Sequence, residues 1–112
     1  MDIKIKVWLL DIQKSIEEIF EFLGENRDFF SYREDLKTKK AVERNLEIIG
    51  EAVNRILKKD ENFPIRDAKN IIGIRNRIIH SYDNISDEII WTIIVRELPF
   101  LKIQIDDFLK DT

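Results

Sequence analysis

The chain has 112 residues, which is enough for one compact domain and too few for two. It is 44% hydrophobic and 37% charged, with three Gly and two Pro, a composition that excludes a disordered tail and a turn-rich sandwich of short strands. Nineteen basic against twenty-two acidic residues leave a net charge of -3, which excludes a general electrostatic grip on nucleic acid and leaves only local contacts.

There is no Cys and one His, so neither a disulfide framework nor a thiolate or histidine-based metal centre can be built, and a reducing cytoplasm is the expected setting. The apolar stretches Val7 to Leu10 and Ile89 to Val95 fall far short of the roughly 20 residues that span a bilayer. No membrane association is expected.

In chain order, Leu9, Ile12, Ile16, Ile19 and Leu23 recur at three- and four-residue spacing with Lys14, Glu17, Glu18 and Glu21 between them, which predicts an amphipathic helix ending near Gly24. Asn26 to Asp35 loses the period and reads as a connection whose Phe29, Phe30 and Tyr32 tuck against the bundle. A second helix is predicted from Leu36 to Lys58, where Val42, Leu46, Ile49, Val53 and Ile56 repeat against Arg44, Glu47, Glu51 and Arg55 on the opposite face. Gly50 inside it weakens the helix by about 1 kcal/mol relative to Ala, which marks a place where another backbone comes close.

From Arg66 to about Tyr82, Ile71, Ile74 and Ile78 share one face of a third amphipathic segment. Ser86 is a candidate N-cap for the next, with Asp87 and Glu88 in its first turn. That helix is apolar on every side from Ile89 to Val95, so it is expected to be buried on every side, which a domain this small achieves only with a partner chain. Pro99 is expected to kink or break the helix before Leu101, Ile105 and Phe108 resume the period. Twenty-one isoleucines favour strands intrinsically, but helical spacing overrides propensity.

Chemistry concentrates around the single His. Arg66, Lys69, Arg75 and Arg77 against Asp67 make the stretch from Arg66 to Tyr82 a positive island on an otherwise acidic chain, as a local site for an anionic substrate requires. At about 100° per residue, Gly73, Asn76 and His80 form one stripe, and Gly73 leaves room for a ligand or a second backbone beside the imidazole. Arg75 and His80 diverge by about 140° on a straight helix. They meet at one phosphate only if the helix bends or bulges between them, or if the site is assembled from two copies of the chain.

Two copies also answer a chemical need. Attack of an RNA 2′-hydroxyl on the adjacent phosphate requires a base and an acid. An imidazole in water titrates near about pH 6.5, so a symmetric pair supplies both, and two Arg75 guanidiniums stabilise the charge on phosphorus. The same residues also fit an inert surface, in which Arg75 and Arg77 pair with Glu47 or Glu51 and Tyr82 merely packs. Lys37, Lys39, Lys40 and Arg44 likewise fit a solvated helix face.

The run from Arg75 through His80 to Tyr82, Arg-x4-His-x-Tyr, resembles the signature of the HEPN superfamily and of its HepT-type toxin branch. The stretches Ala41 to Ile56 and Gly73 to Tyr82, and Ile89 to Leu101 with Trp91 and Leu98-Pro99, are similar to that branch too, so the likeness covers most of the chain. It departs where Pro64 is followed by Ile65, Arg66 and Asp67 without the Trp many relatives carry, and at Ser81, where relatives often have Gly.

The resemblance implies a single all-α HEPN domain over residues 1–112, a bundle of four to five helices that forms a homodimer. Arg75 and His80 of both chains would line a cleft at the two-fold axis. It implies a metal-independent ribonuclease without cofactors that acts as a toxin on RNA, partnered by an MntA-type nucleotidyltransferase antitoxin that transfers AMP to Tyr82. Asn76 would orient His80, and Arg77 would help to hold RNA. The competing expectation is a non-catalytic helical subunit that serves as the binding partner of a nucleotidyltransferase.

Overall fold

A computed structural model describes residues 1–25, 27–80 and 85–110. Among these residues six α-helical segments and one π-helical turn follow one another: α1 (Ile3–Leu23), α2 (Phe29–Glu34), α3 (Leu36–Lys59), α4 (Ala68–His80), α5 (Asp87–Thr92), the π-turn (Ile93–Glu97) and α6 (Leu98–Lys110), the last three continuous as one helical path, so that five helices make the bundle. Among the described residues there is no strand, and no helix is long and apolar enough to cross a membrane.

Local chemistry sets the boundaries. The Asp2 carboxylate accepts from the amides of Lys4 and Ile5 at 2.8 and 3.2 Å, so α1 starts well before the periodic residues that reveal it. It ends where Gly24, at a φ of 68°, turns the chain and returns its amide to the Phe20 carbonyl. Asp28 caps α2 through the Ser31 amide, and Asp35 caps α3 through the Thr38 amide and hydroxyl. The hydrogen bonds from Thr38 hold the Asp35 carboxyl below the usual carboxylate range. Ser86 caps α5 as expected, its hydroxyl accepting from the Ile89 amide.

α1, α3 and α6 pack side by side, and α4 lies on α3. Leu9, Ile12, Ile16 and Ile19 of α1 meet Val42, Ile49, Val53 and Ile56 of α3 and Ile105 of α6 in a core closed to solvent. Truncation of Ile16, which has no exposed surface, to alanine is expected to destabilise the fold by about 2 to 5 kcal/mol, read as a lowered midpoint in chemical denaturation.

Two sequence expectations change, for Asn26 to Asp35 and for Pro99. Asn26 to Asp35 is not simply a connection, because α2 forms inside it. Six residues are too few to show a period, and the two aspartate caps carry the signal instead. Its Tyr32 is buried against Trp91 at a ring separation of 5.3 Å, with a hydroxyl that has no partner among the described residues, and burial pushes that phenol above its usual range. Phe29 is half-buried, but Phe30 does not tuck in and stays 62% exposed.

Within the single chain, Ile90, Ile93 and Ile94 face the core while Ile89 and Val95 meet solvent. One chain does not cover this segment on every side, because the body is only 19 Å deep, two layers of helices about 10 Å across.

Pro99 neither breaks nor interrupts the helical path. The π-turn opens the hydrogen-bond ladder just ahead of it, with the Leu98 amide reaching the Ile93 carbonyl. This relieves the press of the proline ring on the carbonyl four residues back.

Candidate active site

The motif helix is aimed by its first residues. The chain reaches α4 through Asp67 at a φ of 56°, a left-handed conformation that Asp tolerates better than most residues. Ile65 and Ala68 are buried there, and Phe63 packs on Phe108 with ring centres 4.9 Å apart. Ile74 is then buried, and Ile71 and Ile78 pack against the core from the same face. α4 is regular to its end at His80, so no bend or bulge brings Arg75 and His80 together within one chain.

Arg75 is the best-held residue of the motif. Its Nη2 donates to Glu51 Oε2 at 2.8 Å, and its Nη1 donates to Asn76 Oδ1 at 2.8 Å. Nε is buried with no partner among the described residues. Glu51 in turn accepts from Arg55 Nε at 3.0 Å through its other oxygen. One carboxylate on α3 therefore bridges two guanidiniums. The pairing with Glu51 that spacing alone allowed is formed.

Gly50 explains how α4 comes this close. A methyl group there would run into Arg75 Cβ, lie 2.8 Å from Cγ and approach the Ile71 carbonyl oxygen to 3.3 Å. The expectation of a close neighbour at Gly50 holds. Gly73 faces open space within the chain.

His80 lies exposed at the C-terminal end of α4, and Asn76 and Arg77 are exposed as well. Tyr82 and Ser81 lie outside the described residues. A cavity of about 310 Å³ opens beside Arg75, walled by Trp8 and Asp11 of α1, Arg44 and Glu47 of α3, and Ile79 of α4. A second, of about 450 Å³, lies on the Ile71 and Ile74 side of α4, towards the π-turn and α6. It is mainly apolar and holds neither Arg75 nor His80. Of the lysines on α3, Lys39 is committed to Asp87 at 3.1 Å, pinning the start of α5, and Arg44 pairs with Glu47 at 3.2 Å. No cluster of three or more His, Asp or Glu that could hold a metal ion occurs among the described residues.

Sequence reasoning missed Arg55, Trp8 and Asp11 as neighbours of the motif. Arg55 had a signal, because it stands one turn after Glu51. Trp8 and Asp11 had none, since only the packing of α1 on α3 brings them there.

The profile of the family described as HepT-like, ribonuclease HepT-like, matches residues 12–108. A protein of Methanocaldococcus jannaschii, provisionally named an RNase, is 34% identical over 108 residues, covering 96% of this chain and 88% of the relative. Another provisionally named RNase, from Caldanaerobacter subterraneus subsp. tengcongensis, is 36% identical over 94 residues, covering 80% and 84%. A protein of Thermococcus cleftensis, provisionally named ribonuclease HepT, is 35% identical over 100 residues, covering 87% and 88%. No solved structure matches the chain. The chain belongs to the HepT-like ribonuclease family, an all-α HEPN-type bundle.

Proposed function

We propose that this protein is a metal-independent endoribonuclease that works as a homodimer and serves as the toxin of a toxin-antitoxin pair. The observation that carries the reading is the regular helix α4, on which an anchored Arg75 and an exposed His80 diverge, so that a second copy is needed to complete the site. One His80 takes the proton of the 2′-hydroxyl, the 2′-oxygen attacks phosphorus, and the other His80 returns a proton to the departing 5′-oxygen. The products are a 2′,3′-cyclic phosphate and a free 5′-hydroxyl. Arg75 holds the charge that builds on the phosphoryl oxygens. Asn76, one turn before His80, steadies the imidazole through its Nδ2 while its oxygen stays on Arg75, and Arg77 holds RNA.

Tyr82 is the site of control. Its hydroxyl oxygen attacks the α-phosphorus of ATP on an MntA-type nucleotidyltransferase, pyrophosphate leaves, and the bound AMP places a phosphodiester beside the motif, where it excludes RNA by bulk and like charge.

Purified protein incubated with RNA in EDTA is expected to release fragments with cyclic phosphate ends, and Arg75→Ala is expected to slow this to a small residual rate; intact RNA with the wild type overturns the reading. With the transferase and ATP, wild type is expected to gain mass in AMP units and Tyr82→Phe none. Equal gain by both removes Tyr82 as the acceptor. A second reading, a non-catalytic binding subunit of a nucleotidyltransferase, is favoured by the Arg75 to Glu51 pair and predicts intact RNA together with a stable complex.

A further inference from the structure

We infer that Glu51 is a positioning residue for Arg75, anchored for that purpose by Arg55; the inference rests on the ribonuclease reading and extends it to α3. A guanidinium has five N–H donors. In Arg75 one goes to Glu51, one to Asn76, and Nε is buried. The remaining two stay available to a phosphate.

The arginine stem is equally constrained, because its Cβ and Cγ rest where Gly50 has no side chain. Glu51 is itself held from its other side by Arg55, so its carboxylate cannot swing away without breaking two ion pairs. A long flexible cation is thereby fixed before substrate arrives, and the rotamer entropy that would otherwise be lost in the reaction is lost on folding. The charge of the carboxylate weakens the hold of Arg75 on any phosphate, so Glu51 aids the reaction through the placement of Arg75 and not through its own charge.

The test is steady-state cleavage of a short oligoribonucleotide by the full chain, with His80→Ala as the control for the ribonuclease reading. Glu51→Gln is expected to lower kcat by about tenfold or more while KM stays unchanged or falls. In an Arg75→Ala background, Glu51→Gln is expected to lower the residual rate no further. The thermal midpoint shifts of the two single variants are expected to sum to more than the shift of the double variant, a readout that does not depend on activity.

An unchanged kcat, a rise in KM alone, a further fall in the Arg75→Ala background, or additive midpoint shifts each overturn the role. A wild type that cuts no RNA overturns the ribonuclease reading and the catalytic purpose with it, and the melting cycle then shows by itself whether Glu51 holds Arg75.

Discussion

Replacing His80 by alanine is expected to lower the cleavage rate by about 10²- to 10⁴-fold and to leave the fold intact. His80 is exposed at the last position of α4, so truncation opens no cavity, and substitutions of that kind usually stay within about 0.5 kcal/mol. Loss of activity without loss of stability separates a chemical role from a packing one. Both cleavage and the thermal midpoint must therefore be measured on the same preparation. A His80→Ala protein that cleaves RNA at close to the wild-type rate removes the imidazole from the mechanism. In a dimer with two such groups at one cleft the variant loses acid and base together, which places the expected effect towards the upper end of the range.

The second large effect is expected from Gly50→Ala. In the middle of a helix this change ordinarily stabilises by about 1 kcal/mol, because alanine is the better helix former. Here the sign reverses. The new methyl group meets the Cβ and Cγ of Arg75 and the carbonyl of Ile71, and of these the Cβ and the carbonyl are fixed to the α4 backbone and cannot swing aside as the tip of a long side chain can. α4 must move away from α3, and overpacking of this kind costs about 1 to 3 kcal/mol. The same movement takes Arg75 off Glu51. Gly50→Ala is therefore expected to lower both the unfolding midpoint and the cleavage rate. Gly73→Ala, on the open side of α4, serves as the contrast within the isolated chain and is expected to raise the midpoint. A Gly50→Ala protein more stable than wild type refutes the close approach of the two helices.

The long helices were legible because burial repeats with the helical period. Val42, Leu46, Ile49, Val53 and Ile56 are all buried, and α3 runs as expected with one further residue at its end. The first two turns of α1 were not legible, because Ile3 and Val7 face solvent and blur the period before Leu9. α2 is too short to show a period. The π-turn was half legible: Pro99 announced a disturbance, but a proline does not say whether a helix breaks, kinks or widens.

At the site, the divergence of Arg75 from His80 followed from helix geometry alone. Which glutamate Arg75 meets did not. Glu47 and Glu51 stand one turn apart on the same helix face, and only the level at which α4 crosses α3, set by Gly50, decides between them.

Asp35 both closes α2 and opens α3, and that double duty leaves the corner without slack. An inserted residue there would displace α2 and carry Tyr32 off Trp91, while a deletion would remove the residue whose amide closes α2 and whose carboxylate caps α3. Variation in length is therefore expected to be tolerated poorly at this joint, because the amide and the carboxylate of one residue serve two helices.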